Sequence, residues 1–243
     1  ELLFLYGFVI ENNPDDCLMM CYPVDALKNL PSSECKAVLL GIQNAKLRWL
    51  LSRNFLDRGY FSGKATQFED SKKGMLNLDS SYSWSGQRKA PSYLKRLVFP
   101  EDLLSSLRIL AMCEQELLQV SSLLEEIVGS DGNEQRQPSS RELQSAIWEV
   151  CGDSGALQML VDLLLAKVME LEEGSGTAAS DLELLNSYCI MDKMVVTSIC
   201  NDEKKMDRKK WSCIVYRRAQ KELAHLFLQE AEHLLNLCLQ GQL

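Results

Sequence analysis

The histidines and cysteines, which are the commonest ligands of zinc and frequent catalytic groups, number two and nine in this chain. His225 and His233 lie eight residues apart on one predicted helix. They are therefore about two turns from each other, too far to bind one metal without outside ligands. Cys17 and Cys21 have no second cysteine or histidine pair at zinc-site spacing. We predict no metal site, and histidines on a helix surface.

Motifs that carry catalysis are also missing from the sequence. It contains no G-x-S-x-G, no glycine-rich phosphate loop and no H-E-x-x-H. The adjacent carboxylates Glu125-Glu126 and Glu172-Glu173 lie near the ends of predicted helices, on their polar faces, which is typical of solvated charge. We therefore predict no catalytic residue in this chain and no enzymatic activity of the chain on its own.

One basic run stands out, KKMDRKK at 204–210. It lies at the predicted start of a helix, where cations oppose the helix macrodipole, so helix stability does not explain it. Docking of an acidic partner surface and an ordinary solvated turn are both compatible with this position.

Composition limits the class of protein. The net charge of −8 argues against broad nucleic-acid binding, which needs clustered cations. No stretch reaches the roughly 18 to 20 apolar residues of a membrane span. The odd number of cysteines, in apolar surroundings, indicates reduced, buried thiols and an intracellular protein. The cytoplasm, nucleus and chloroplast are not distinguished. The chain begins without Met, within an apolar run, and we expect a fragment of a longer protein.

The first third of the chain is mixed in pattern. The segment at 17–22 suits either a strand or another buried segment, and its length does not decide between them. Helical spacing of apolar residues predicts a helix over 33–51. Residues 62–92 are rich in Ser, Gly, Lys and Asp and predict a long, flexible loop or insertion.

From residue 100 onwards the pattern predicts long helices. The first spans 100–128 and places its apolar side chains on one stripe: Leu103, Leu107, Leu110, Leu117, Leu124 and Ile127. Capping boxes are predicted at Ser139 with Glu142 and at Ser180 with Glu183. A break at Gly152 and Gly155 separates two helices.

The final helix is predicted over 207–239. Its stripe is Trp211, Val215, Ala219, Leu223, Leu226, Leu234 and Leu237. The expected fold is mainly α, a helical bundle after a short non-helical start.

Four segments together resemble a known family. They are ELLFLYGFVIENNP at 1–14, FPEDLLSSLRIL at 99–110, TAASDLELL at 177–185 with Asp181 in its acidic position, and YRRAQK at 216–221. In this order they are similar to the C-terminal part of the SET-domain protein-lysine methyltransferases of the Rubisco large-subunit methyltransferase family. The insertion at 62–92 departs from the family's more compact spacing.

The resemblance implies that residues 1–22 are the end of a SET domain and that 23–243 form the family's helical substrate-binding domain. It places Tyr6 and Phe8 at the edge of the family's active-site pocket, where the cofactor and the substrate lysine meet. S-adenosylmethionine is implied for the parent enzyme. This chain has no N-H-S motif and no G-x-G entry segment of a SET domain, since Gly174-Ser175-Gly176 ends a predicted helix, so we expect it to bind no cofactor.

The expected function is therefore to dock the protein substrate of a lysine methyltransferase. We predict docking near the basic end of the final helix, through Lys209, Lys210, Arg217 and Arg218. We expect a monomer whose partner is a protein, with neither nucleic acid nor membrane involved. The alternative is a standalone helical scaffold that binds another protein in a groove of the bundle.

Overall fold

The computed structural model describes residues 2–56, 98–129, 136–187, 189–190 and 205–241. The described chain is mainly helical, as predicted. The predicted insertion at 62–92 lies outside these residues. The helices are α1 Leu2–Tyr6, α2 Val24–Lys28, α3 Ser33–Ile42, α4 Arg53–Leu56, α5 Glu101–Ala111, α6 Glu114–Gly129, α7 Ser140–Val150, α8 Ser154–Glu172, α9 Ala178–Ser187 and α10 Arg208–Gly241.

Two strands near the N-terminus form an antiparallel pair, β1 Cys17–Cys21 and β2 Arg48–Ser52. Of the two alternatives left open for residues 17–22, a strand or another buried segment, the structure has a strand. The helix predicted over 33–51 is wrong in its second half, because α3 ends at Ile42 and Asn44 has a left-handed φ of 52°. The signal that was missed is the alternation of buried and exposed side chains that a strand requires. Trp49 and Leu51 are buried, while Arg48 and Leu50 are exposed. Two further short strands, β3 Cys189–Ile190 and β4 Lys205–Met206, pair in parallel.

The single helix predicted over 100–128 is wrong, because the chain breaks at Met112 and Cys113. Met112 has an extended ψ of 134°, which ends α5. The backbone N–H of Cys113 then donates to Glu116 Oε2 at 2.8 Å, which satisfies a donor at the start of α6. The six leucine and isoleucine residues of the predicted stripe are nevertheless buried, so the apolar pattern was correct although the helix was not continuous.

The two predicted helix caps have different outcomes. Ser139 and Glu142 form the expected capping box at the start of α7. The box predicted at Ser180 and Glu183 is wrong, because α9 already begins at Ala178. Thr177 caps this helix instead, and its hydroxyl oxygen accepts from the backbone N–H of Ser180 at 3.2 Å.

The long helix α10 organises the rest of the fold. Its bounds lie within two residues of the predicted 207–239, and α8, α9 and β1 all pack against it. The predicted break between α7 and α8 is confirmed, and α8 also packs against α5. The apolar stripe predicted for α10 is wrong at one position. Leu226 is exposed, and its neighbour Phe227 is buried instead, with its ring centroid 5.9 Å from that of Phe99.

The capping box of α7 gives a testable pH dependence. Hydrogen bonds from Arg136, and then from the backbone and hydroxyl of Ser139, lower the pKa of Glu142 from 4.5 to about 2. A lowered pKa in the folded state stabilises the fold fully above the unfolded pKa, and this is lost as the pH falls through the folded pKa. Glu142→Gln should lower the free energy of unfolding by about 1 kcal/mol at pH 7.

The difference between the wild type and Glu142→Gln should shrink as the pH falls from 4.5 towards 2. Urea denaturation across this pH range measures it. Glu183→Gln, a change on the exposed face of α9, serves as a matched control and should leave stability almost unchanged. A difference that stays constant with pH would contradict the assignment.

Candidate functional site

A buried group of charges joins α9 to α10, and we call its residues Asp181, Arg217 and Lys221 the Asp181 cluster. Lys221 Nζ donates to Asp181 Oδ2 at 2.7 Å and to the Gly176 carbonyl at 2.6 Å. Arg217 donates from Nε to Oδ2 of Asp181 at 3.0 Å and from its terminal nitrogen to Oδ1. The side chains of Asp181 and Lys221 are 1% and 0% exposed. Asp181 and Lys221 are therefore part of the protein interior, whereas the side chain of Arg217, which is 36% exposed, reaches the cluster from the surface.

Local sequence places each member of this cluster. Asp181 lies in the first turn of α9, where the positive end of the helix dipole favours a carboxylate. Arg217 and Lys221 are four residues apart on α10 and therefore share one helix face. The pair spans both oxygens of a single carboxylate, so both oxygens of Asp181 accept charge-assisted hydrogen bonds.

The electrostatics of Asp181 are a balance of two effects. Burial by itself raises the pKa of the carboxyl group, since it disfavours the charged form. The hydrogen bonds from Arg217 and Lys221 and the attraction of their positive charges outweigh burial, and the pKa lies below the usual 3.8. Asp181 is therefore ionised at neutral pH and balances one of the two cations that face it.

The residue next to Lys221 extends this contact to the sheet. Gln220 Nε2 donates to the backbone carbonyl of Cys17 in β1 at 3.3 Å. One turn of α10 thus contacts both α9 and the N-terminal sheet. The segments 177–185 and 216–221, which the resemblance identified separately, lie against each other through this cluster.

The four residues predicted for docking have different surroundings. Lys209 and Lys210 are exposed at the start of α10. Arg217 belongs to the Asp181 cluster, and Arg218 Nε donates to Glu222 Oε1 at 2.8 Å on the same helix. Eight residues, or about 12 Å along the helix, separate Lys209 from Arg217. The two lysines and the two arginines are therefore not one continuous basic surface, and their role in docking stays a prediction.

Tyr6 and Phe8 lie in an exposed N-terminal segment. Tyr6 is 70% exposed and Phe8 is 38% exposed. The centroids of their two rings are 6.2 Å apart. The role that the resemblance gives them at a pocket edge also stays a prediction.

A second buried ionic group was not found from the sequence. Arg108 in α5 donates from Nε to Asp153 Oδ1 at 2.8 Å and from Nη1 to Glu101 Oε1 at 2.9 Å. Its guanidinium lies 5.3 Å from the ring centroid of Trp148, a cation–π distance. Burial lowers the pKa of Arg108, but the charges and hydrogen bonds of the two carboxylates raise it more. The available signal was weak: Glu101 lies seven residues before Arg108 and shares its helix face, but Asp153 lies 45 residues away in the turn before α8.

The histidines and cysteines that opened the sequence analysis are dispersed. His225 Nε2 lies 3.1 Å from Glu172 Oε1, and both histidines are partly exposed on α10, as predicted. Within the described ranges, no three His, Cys, Asp or Glu side chains are grouped as metal ligands. The described cysteines are free thiols. The prediction that they are buried is wrong for Cys21, Cys35, Cys113 and Cys213, which are exposed. Cys21 lies at an outward position of β1, Cys35 and Cys213 lie on outward helix faces, and Cys113 lies in the break between α5 and α6.

Comparison with known proteins identifies no relative. No family model, no curated protein and no solved structure matches the chain. In the part of the chain that the structure describes, no helix is long and apolar enough to cross a membrane.

The Asp181 cluster leads to a prediction about stability. Asp181→Asn keeps the shape of the side chain but leaves the charge of Lys221 buried without its counter-ion. We expect the free energy of unfolding to fall by about 3–5 kcal/mol. Thermal and urea denaturation at pH 7 measure this, and Glu183→Gln on the exposed face of the same helix is the matched control.

The double variant Asp181→Leu/Lys221→Met removes both charges of the buried pair. It should be more stable than Asp181→Asn, because no fully buried charge is left without a partner and Arg217, which is 36% exposed, can turn to solvent. If Asp181→Asn unfolds like the wild type, Lys221 is not held by this carboxylate, and the assignment of the cluster fails.

Proposed function

We propose that this chain is the substrate-docking lobe of a SET-domain protein-lysine methyltransferase of the Rubisco large-subunit methyltransferase family. In this proposal residues 1–22 end the SET domain and 23–243 form the helical substrate-binding domain. One observation supports it most. Two segments that resemble the family independently, 177–185 and 216–221, meet through Asp181, Arg217 and Lys221, which lie 36 to 40 residues apart in sequence.

The geometry supports a docking role because it provides a rigid frame. A buried ion pair is stable only in a narrow range of positions, so the Asp181 cluster holds α9 and α10 in one register. The helix α10 has 34 residues and extends for about 50 Å, with α8, α9 and β1 packed along it. A substrate bound to this lobe would be held at a fixed distance from the N-terminal sheet.

The ion pairs along α10 also limit which of its basic residues are candidates for docking. Arg217 is engaged by Asp181 and Arg218 by Glu222, so their charges are largely balanced within the chain. Arg208 and Lys209 are exposed, and make no ion pair within the described residues. The first turn of α10 is thus the stronger candidate for attracting an acidic substrate surface, mainly by raising the encounter rate.

The chemistry of methyl transfer belongs to the catalytic domain in this proposal. Tyr6 and Phe8 are too exposed to form a cofactor site by themselves, so the residues present do not fit S-adenosylmethionine. We assign no step of methyl transfer to this chain. Its own contribution is to bind and orient the protein substrate.

The docking surface can be tested by charge reversal in the full-length enzyme. Arg208→Glu with Lys209→Glu should raise the Michaelis constant for the protein substrate by roughly fivefold to twentyfold at low salt, and less at high salt. The dissociation constant for S-adenosylmethionine should stay unchanged. Lys28→Glu, a charge reversal at an exposed residue of α2 that pairs only with the nearby Asp25, is the control and should leave both constants unaltered.

An unchanged Michaelis constant at low salt would exclude the first turn of α10 as the docking surface. The family assignment has a separate test in the coding sequence. We expect an N-H-S cofactor motif shortly before Glu1 in the natural transcript. A transcript without that motif would contradict the methyltransferase proposal and favour the standalone helical scaffold.

A further inference from the structure

The hydrogen bonds that flank the N-terminal sheet fix the direction of every backbone group in β2. Tyr22 N–H donates to the Leu47 carbonyl at 2.9 Å, and Arg53 N–H donates to the Asp16 carbonyl at 2.8 Å. Hydrogen-bonded pairs alternate with non-bonded pairs in an antiparallel sheet. Trp49 and Leu51 therefore direct their backbone groups towards β1. Arg48, Leu50 and Ser52 direct theirs away from it, along the outer edge of β2.

The two outer edges of this sheet differ. The edge of β1 is covered by α10, where Gln220 occupies the outward carbonyl of Cys17. Among the described residues, no hydrogen bond reaches the outward N–H and C=O groups of Arg48 and Leu50 or the outward N–H of Ser52, whereas the Ser52 carbonyl accepts from the first turn of α4. Such a row of unpaired donors and acceptors is a template for another strand.

The side chains beside this edge add two features. Leu50 is 57% exposed and faces Met19, its register partner in β1, which is 41% exposed. The same face carries exposed Arg48, and exposed Lys46 precedes it by two residues. The opposite end of the sheet is acidic, with Asp15 and Asp16 at the start of β1. The edge therefore has a cationic end and an apolar middle.

We propose that the outer edge of β2 accepts an extended acidic segment of another protein as a third strand. Backbone hydrogen bonds to Arg48, to Leu50 and to the N–H of Ser52 supply affinity, an apolar side chain packs on Leu50, and acidic side chains face Arg48 and Lys46. This inference is independent of the proposed methyltransferase function.

Charge selects this occupant over a second copy of the chain. A second copy brings the same cations, Lys46 and Arg48, to an edge that already carries them. A strand of five residues also offers far less than the roughly 1,000 Å² that a stable dimer buries. An acidic peptide places opposite charges against Lys46 and Arg48, and a weak, reversible peptide complex does not require the area of a stable dimer.

The test uses a blocked eight-residue peptide, TVTVTETE, whose valines and glutamates share one face of a strand. In antiparallel pairing a valine lies opposite Leu50 and the glutamates lie opposite Arg48 and Lys46. Residue-resolved hydrogen exchange of the chain should show fast exchange of the Arg48, Leu50 and Ser52 amides without peptide. Addition of the peptide should slow all three and leave the Trp49 and Leu51 amides unchanged.

Three controls separate strand addition from other binding. TPTPTETE keeps the charge but cannot pair as a strand, and TVTVTKTK reverses the charge, so both should fail to slow exchange. Arg48→Glu should weaken binding of TVTVTETE by about fivefold, whereas Lys28→Glu should not.

Several outcomes would overturn the proposal. The edge amides could already exchange slowly in the chain alone, the proline peptide could bind equally well, or TVTVTETE could fail to bind. Slow edge exchange that appears only at high chain concentration, with dimers in sedimentation, would assign the edge to a second copy instead.

Discussion

The contact between Lys221 and Asp181 is the constraint on which the arrangement of α9, α10 and the sheet depends. Both side chains are almost completely buried, so each would be costly to remove from water alone. The cost is offset only when the two charges meet at hydrogen-bonding distance and their remaining groups are also bonded. Arg217 and the Gly176 carbonyl meet that requirement. A shift of α9 by one residue along α10 would break all of these bonds at once.

The same logic operates at two other junctions of the helices. Arg108 joins α5 to the turn before α8 through Asp153. Lys36 of α3 donates to the Leu110 carbonyl at 2.8 Å, in the last turn of α5, where unpaired carbonyls and the negative end of the dipole favour a cation. Burial lowers the pKa of Lys36, which shows how strongly this ammonium is removed from water. Leucine-rich helix faces can pack in several registers, whereas a buried cation accepts only one.

Sequence patterns predicted those parts of the fold that are controlled locally. The bounds of α10 and the capping box of Ser139 and Glu142 depend on residues within a few positions of each other, and both were predicted correctly. The strand β2 was missed because Leu50 and Leu51 follow each other, so the period of two was hidden by an exposed apolar side chain. The break at Met112 was missed because the apolar stripe continues through it.

The candidate site was less predictable because its contacts are distant in sequence. Asp181 and Lys221 were both noticed, but in separate segments, and nothing local indicates that a carboxylate will meet an ammonium 40 residues away. The family resemblance singled out the two segments that contain Asp181 and Lys221, but it did not predict that these side chains contact each other. The roles of the cations on α10 could not be separated for the same reason. Lys209 and Arg217 look alike in the sequence, because the carboxylate that pairs with Arg217 lies 36 residues away.

The structure separates these cations by what balances them. Arg217 is offset by Asp181 and Arg218 by Glu222, and their presence is explained by the fold. Arg208 and Lys209 lie exposed at the positive end of a helix of 34 residues, where each opposes the helix dipole by roughly 0.3–1 kcal/mol. No packing or pairing among the described residues offsets this cost. Cations that the fold does not require, in a chain of net charge −8, are the ones for which a partner surface is the better physical explanation.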